Sequence, residues 1–230
     1  MILTVTLNLA LDVTYHVERV RLGATTAVDS VARRAGGKGV NVARVLQALG
    51  REVVVTGFAG GVTGAAARNE LTASGLHDQT VPVAGDSRTA LIIVDSAGEA
   101  TGFSEPGPQV SSDEWQRMLA QFRALIGSSD AVVVSGSLPP GVPPDAYAQL
   151  ISIAASRAVP ALLDAHGEAL VRGVGARPDI VKINAGELAS VVDGPDVLAG
   201  ARSLRELGAG AVVITDGADG LIGVSEHGAW

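Results

Sequence analysis

The sequence predicts an α/β protein with a mainly parallel central sheet and a small second β-sheet. Three observations point there. Short β-branched runs alternate with helical patterns along almost the whole chain. Those runs are continuously apolar, as parallel strands covered by helices on both faces would be. Two extended stretches break the alternation, and strands outside the main series most simply pair with one another.

A first strand is expected over residues 2–7, inside MILTVTLNLALDV. That opening has no basic start and is interrupted by Asn8 and Asp12, so it reads as a strand and not as a signal peptide. Residues 13–35 and 88–104 (RTALIIVDSAGEATGFS) read as extended, with turns at Leu22-Gly23 and Ala97-Gly98. The expected division is an α/β core of residues 1–12, 36–87 and 105–230, with 13–35 and 88–104 as a β lid. Such a lid would sit over the carboxyl ends of the strands, where open α/β sheets bind ligands.

Between the two lid segments lies RRAGGKGVNVARVLQALG, residues 33–50. Val42, Val45, Leu46 and Leu49 recur at the spacing of one buried helix face, which leaves Arg44 and Gln47 on the wet side. Gly50 stands where a left-handed residue would close the last turn. A glycine-rich entry to a helix leaves N–H groups at the positive end of the dipole, which suits an anion or a polyol. On this stretch alone, a plain helix cap with an incidental lysine fits equally. A Walker A loop is excluded, because Ala32 and Gly39 occupy its glycine and Ser/Thr positions. No G-x-G-x-x-G follows the first strand, so a dinucleotide fold has little support.

Further strands are expected at 52–57, 131–135, 160–163, 180–183 and 211–215. The clearest helix is SSDEWQRMLAQFRALIG. Ser111 and Glu114 can form a capping box there, and Trp115, Met118, Leu119, Phe122, Leu125 and Ile126 make a core stripe.

Composition narrows the function classes. A chain of 230 residues can bury the core of one α/β domain with a smaller appendage. A net charge of −7 without a basic block argues against nucleic acid as a partner. With no cysteine there is no thiolate nucleophile or Cys-type zinc site, and the four histidines are scattered. No apolar run approaches the ~18 residues of a membrane span. The expectation is a soluble, cytoplasmic globular protein with no membrane or nucleic-acid partner.

Several polar residues stand just past expected strands, where such a fold gathers its ligand groups. They are Asp12; Gly37, Lys38 and Asn41; Arg88; Ser137 in VVVSGSLPPG; Lys182, Asn184 and Glu187 in VKINAGEL; and Thr215, Gly217 and Gly220 in VVITDGADG. Each also has a structural reading: Asp12 could cap a turn, Ser137 a helix, and Glu187 could favour a helix first turn. Their convergence at consecutive strand ends favours a site. Ser137 is no acyl-transfer nucleophile, since G-x-S-x-G is absent and no histidine is placed to activate it.

The stretches TLNLALDVTY, AGGKGVNVARVLQALG, GFAGGVTG, SGSLPPGVP and VKINAGEL, in this order, resemble the PfkB branch of the ribokinase-like sugar kinases. The similarity is greatest to the subgroup holding 1-phosphofructokinase and tagatose-6-phosphate kinase, and it runs from Met1 to the chain end. It implies a ribokinase-like three-layer sandwich with a β lid that often forms the contact of a homodimer. It also implies phosphorylation of a sugar phosphate by ATP with Mg2+. By motif, Asp12, the Gly37 backbone and Asn41 would hold sugar hydroxyls, while Lys38 and Arg88 would face the substrate phosphate with Ser137 nearby. Lys182, Asn184 and Glu187 would serve the ATP phosphates and the water shell of magnesium. Thr215, Gly217 and Gly220 would line the nucleotide.

The chain departs from that family's pattern in places. Leu9 and Ile183 replace usual prolines, and Ala90 and Ile92 stand where an asparagine and a lysine are common. The Gly-Ala-Gly-Asp turn whose aspartate serves as the base would lie beyond Trp230. GADG at 217–220 is instead the earlier nucleotide loop. The chain is therefore expected to be a fragment of the kinase, its last hairpin broken off in the second strand, or else a short form without turnover. A non-catalytic sugar-phosphate-binding member and a kinase of an unphosphorylated sugar are the alternatives. Two cations facing a neutral sugar argue against the latter.

Overall fold

The computed structural model describes residues 1–191 and 196–230. A ten-stranded sheet carries the molecule. Its strands are β1 (Ile2–Asn8), β4 (Val53–Ala59), β5 (His77–Asp78), β6 (Val81–Pro82), β9 (Ala131–Ser135), β10 (Ala161–Asp164), β11 (Ile180–Asn184), β12 (Ala211–Thr215), β13 (Leu221–Ser225) and β14 (Gly228–Ala229). They run in the order β14-β13-β12-β11-β10-β9-β1-β4-β5, with β6 also on β4. Every pairing from β5 to β12 is parallel, and the hairpin β13–β14 is antiparallel. The six strands expected from β-branched runs are all present, each within two residues at either end.

The helices lie on both faces, making three layers. α3 (Ser112–Ile126), α4 (Ala146–Ala155), α5 (Gly167–Val174), α6 (Ala185–Ala189) and α7 (Val197–Leu207) cover one face, where they meet Leu3, Val5, Val134, Leu163, Val181 and Ile214. α1 (Lys38–Ala48) and α2 (Gly61–Ala73) cover the other face, but only beside β1 and β4, against Val53 and Val55. Burial over β10–β12 accordingly alternates: Leu163, Val181 and Val212 are buried, while Leu162, Lys182 and Val213 are half-buried. The expectation of full cover on both faces thus holds for β1 and β4 and not for these three strands. No described helix is long and apolar enough to cross a membrane.

The extended stretches pair into a separate four-stranded sheet. It consists of β2 (Ala10–His16), β3 (Ser30–Gly36), β7 (Arg88–Val94) and β8 (Ala100–Ser104), in the order β3-β2-β7-β8. β2 and β7 are parallel, and the outer pairs are antiparallel. β2 starts already at Ala10, so Asp12 is a residue of this sheet and not of a loop trailing β1.

Capping follows the sequence. Ser111 caps α3 with Glu114 in a reciprocal box, and Trp115, Met118, Leu119, Phe122 and Ile126 are buried as expected, with Leu125 half-buried beside them. Gly50, at φ 72°, closes α1, with its N–H on the Gln47 carbonyl and that of Arg51 on Leu46. The buried face of α1 differs from the expected one. Gly39, Val40 and Ala43 are buried, whereas Val45 and Leu49 are 60% and 70% exposed. The cause is close approach: a Cβ on Gly39 would stand 2.4 Å from Thr6 Oγ1, so the helix meets the sheet through its smallest residues. Arg44 and Gln47 are then not on a wet face. Arg44 pairs with Glu70, and Gln47 Nε2 donates to the Ser74 carbonyl at 3.2 Å.

Candidate active site

Sheet register builds the floor of a cleft. Val5 pairs with Val134, and Asp164 pairs with Ser135 on one side and lies one step past Leu163↔Val181 on the other. Thr6, Ser135, Asp164 and Lys182 therefore stand in a row at the carboxyl ends of four adjacent parallel strands. All four point to the α1 side of the sheet, because side chains alternate along a strand. The hydroxyl oxygens of Thr6 and Ser135 are buried there without a hydrogen-bond partner.

The turn into α1 overhangs this row. Gly36 lies against the Asp12 carboxylate, where a Cβ would come 2.0 Å from Cγ. Gly37, at φ 106°, caps the helix in a conformation that L side chains rarely adopt. Lys38 then projects across the floor, its Nζ 2.8 Å from Asp164 Oδ1 and 3.2 Å from Glu187 Oε1. Lys182 Nζ approaches the other Asp164 oxygen at 3.8 Å. Two lysines and two carboxylates thus form one cluster spanning β10, β11, α1 and α6.

The cluster sets its own charge states. Burial alone would push the Lys38 ammonium toward neutrality, but its bonds to Asp164 and Glu187 outweigh that and raise it. Burial likewise pushes the Glu187 carboxyl up. The Asn184 N–H, Lys38 and Lys182 together overcome this and hold it below the ordinary carboxylate value. Both groups are charged at neutral pH.

Lys38, expected to face the substrate phosphate, lines the same cavity as Arg88 and Ser137, and its ammonium is held by an acidic pair, because β10 and α6 both deliver a carboxylate to it. Asn184 and Glu187 likewise have a local task. Asn184 Oδ1 accepts the Glu187 N–H at 2.7 Å while Glu187 Oε2 accepts the Asn184 N–H at 3.2 Å, a capping box on α6. This leaves Glu187 Oε1 turned toward the cleft.

Two cavities adjoin at the Gly36–Gly37 turn. One, of about 190 Å³, is lined by Thr6, Asn8, Gly37, Lys38, Arg88, Gly136, Ser137 and His166. The other, of about 380 Å³, lies under the small sheet and includes Asp12, Asn41, Arg34 and Arg44 in its wall. Arg88 belongs with Asp12: its strand partner is Ala10, two residues before Asp12 and on the same face of the sheet. Burial is the main influence on both, raising the Asp12 carboxyl and lowering the Arg88 guanidinium, and each one's charge counters the shift of the other. Arg88 Nε donates to the Asn8 carbonyl at 3.1 Å.

Gly37, Lys38, Arg88 and Ser137 thus line the smaller cavity and Asp12 and Asn41 the larger, while Lys182 and Glu187 join Lys38 through the ion pairs. Thr215 lies beside Asn184 by strand pairing. Gly217 and Gly220 fall in the 3-10 turn after it, outside both cavities.

Three residues of the region escaped the sequence reading. Asp164, in LLDAHG, lies in no motif, and only the register across 126 residues to Lys38 reveals it. Asn8, read as an interruption, fixes the Ser137 turn, with Nδ2 donating to Ser137 Oγ and to the Pro106 carbonyl, each at 3.0 Å. Tyr147 supports the same turn, its hydroxyl donating to the Gly136 carbonyl at 3.0 Å and the Ser137 carbonyl at 3.3 Å. Its place in the core stripe of α4 would give no such hint.

Residues 5–230 match the family model described as pfkB family carbohydrate kinase. The 1-phosphofructokinase of Escherichia coli K12 is 34% identical over 99% of this chain and 74% of its own length. Among solved structures, phosphofructokinase-2 from Escherichia coli in complex with fructose-6-phosphate superposes with a TM-score of 0.91 at 29% identity, over 100% of this chain and 78% of its own. The tetrameric inhibited form of that enzyme gives 0.92 at 29%, with the same coverage. The chain belongs to the pfkB family of carbohydrate kinases, phosphotransferases with an alcohol acceptor.

Proposed function

We propose that the cleft binds a ketose phosphate, fructose 1-phosphate or tagatose 6-phosphate, for phosphorylation by ATP to the 1,6-bisphosphate. One observation carries the reading: a carboxylate and an arginine for the sugar phosphate, Asp12 and Arg88, adjoin a lysine–carboxylate cluster of the kind phosphoryl transfer needs. The name of the Escherichia coli relative and the fructose-6-phosphate complex of the structural neighbour support the substrate class.

Asp12 and Asn41 accept and donate to sugar hydroxyls, with the Gly37 N–H beside them. Arg88 presents a planar fork to the phosphate already on the sugar, and Ser137, held by Asn8, completes that wall. With Lys38 committed to the acidic pair, the case against an unphosphorylated sugar rests on the arginines. Lys182 serves the ATP phosphates, and Thr215, which neighbours Asn184 across β11 and β12, lines the nucleotide with Gly217 and Gly220.

No group of three His, Cys, Asp or Glu that could hold a metal occurs among the described residues. The donor set nevertheless suits Mg2+, which keeps most of its waters and needs only one or two carboxylates. Glu187 Oε1 and Asp164 would hold it through water, where Lys38 now neutralises them. Bound there, the ion supplies charge neutralisation for the phosphate oxygens.

Each cleft carboxylate has a task in this reading: Asp12 with the hydroxyls, Asp164 and Glu187 with the lysines. Among the described residues of the cleft none is left to take the proton of the acceptor hydroxyl. The 230-residue chain alone is therefore expected to bind its substrates without turnover. Measurement is by calorimetric titration of fructose 1-phosphate, tagatose 6-phosphate and fructose alongside a coupled assay for ADP. Binding of fructose 1-phosphate or tagatose 6-phosphate in preference to fructose is the expected result. Failure to bind any phosphorylated ketose contradicts the reading, and magnesium-dependent ADP formation well above blank contradicts the assignment of the carboxylates.

The outer face of the small sheet supports a homodimer. Val13, Tyr15 and Leu91 share it with Phe103, which is 59% exposed, around a hollow of about 590 Å³. An antiparallel-edged sheet with one face on the cleft and an apolar face outward is suited to a second copy. Phe103→Asp should convert a dimer to a monomer in sedimentation velocity, and an unchanged sedimentation coefficient removes this face from the contact.

A further inference from the structure

The chamber under the small sheet holds more positive charge than its neighbours neutralise. Arg34, Arg44, Asp12, Asn41 and His16 contribute to its wall. Arg44 is committed, donating to Glu70 and to the Ala35 carbonyl. Asp12 is countered by Arg88 and Arg44. Arg34 is exposed at the rim of the chamber and takes part in no ion pair among the described residues. An arginine left uncommitted on the wall of a concave site, beside groups suited to hydroxyls, is a receptor for an anion attached to a polyol.

The direction of the substrate follows from the chambers. The lysine–carboxylate cluster lies past the α1 turn at the strand ends, so the reacting hydroxyl points that way. Asp12 and Asn41 stand between that cluster and Arg34, which pairs across the sheet with Asp12 and lies on the side away from β7. A phosphate at the far end of the sugar from the reacting hydroxyl reaches Arg34. Arg34 and Arg88 sit two strands and two residues apart, about 12 Å between Cα atoms, a span two extended guanidinium side chains can close around one phosphate.

We infer that Arg34 is a second cationic contact for the non-reacting phosphate of the sugar phosphate, reaching it from the larger chamber while Arg88 reaches it from the adjoining cavity. The inference rests on the reading of the cleft as a ketose-phosphate site. It also makes a distinction within the Arg33-Arg34 pair. Strand alternation places Arg34 in the chamber, while Arg33 lies on the outer face with Val13 and Tyr15.

The test is calorimetric titration of fructose 1-phosphate and tagatose 6-phosphate into wild type, Arg34→Ala, Arg34→Lys and Arg33→Ala, with a thermal melt for each. Arg34→Ala should weaken binding roughly 10- to 100-fold, as loss of a charged hydrogen-bond partner does. Arg34→Lys should recover part of the loss, and Arg33→Ala should stay within about twofold, since its side chain faces away. Wild-type affinity in a folded Arg34→Ala variant overturns the inference while leaving the ketose-phosphate site standing. Equal losses in Arg33→Ala and Arg34→Ala also overturn it, because the effect is then general charge and not the chamber. No binding by wild type overturns both the inference and the reading beneath it.

Discussion

Replacing Lys38 by methionine tests the cluster at the floor of the cleft. The side chain keeps most of its length but loses the ammonium between Asp164 and Glu187, at 2.8 and 3.2 Å. Two carboxylate charges then face each other within about 6 Å, a repulsion of roughly 0.7 to 3 kcal/mol for effective dielectrics of about 80 to 20. Lys38 is 36% exposed and Glu187 22%, so solvent screening places the effect toward the lower end. The expected loss is about 1 kcal/mol of stability, which lowers Tm by about 2–4 °C in a chain of this size. The Glu187 carboxyl, held below its ordinary value partly by Lys38, should titrate higher in the variant. Carbon-detected NMR of labelled glutamate follows that titration directly, and Asp164→Asn in the same background should return part of the Tm. An unchanged Glu187 titration together with an unchanged Tm refutes the pairing.

Arg88→Ala should weaken ketose-phosphate binding by about 1.5–3 kcal/mol, the range for a charged hydrogen-bond partner; equal affinities in calorimetry would remove Arg88 from the site. Gly36→Ala puts a Cβ 2.0 Å from Asp12 Cγ, at the movable end of that side chain. Tm should therefore change little while sugar-phosphate affinity falls as it does in Asp12→Ala, and retained affinity would show that Asp12 does not hold the sugar. Glu114 accepts from the Ser111 and Ala84 N–H groups, each at 2.7 Å, and the Ser111 bond chiefly holds its carboxyl below the ordinary 4.5. Its contribution is present above that pH and lost as pH falls through the lower folded value. Glu114→Gln should flatten the acid side of the stability profile in denaturant titrations, and an unaltered slope would contradict this.

What could be read from the sequence was whatever local chemistry dictates. The β-branched runs gave the parallel strands, the Ser111–Glu114 spacing gave the cap of α3, and Gly50 gave the end of α1. The inner face of α1 differs from the expected one because apolar spacing does not report how closely a helix can approach the sheet. Gly39 lets the helix approach Thr6, and this turns Val45 and Leu49 outward. Candidate residues were legible where a motif carried them, as with Asp12, Asn41 and Arg88. They were illegible where strand register did: Asp164 reaches Lys38 because β9 and β10 pair Ser135 with Asp164, and nothing near Asp164 in the chain announces it. Arg34 is an intermediate case, readable once residues 30–36 are known as a strand, since alternation then separates it from Arg33.

The most direct test of the account is a crystal structure of the chain with a ketose phosphate bound. The account predicts hydroxyls on Asp12 and Asn41, the sugar's own phosphate between Arg88 and Arg34, and a free hydroxyl pointing toward Lys38, Asp164 and Glu187. A sugar phosphate seated anywhere that leaves Asp12 and Arg88 without contact contradicts it.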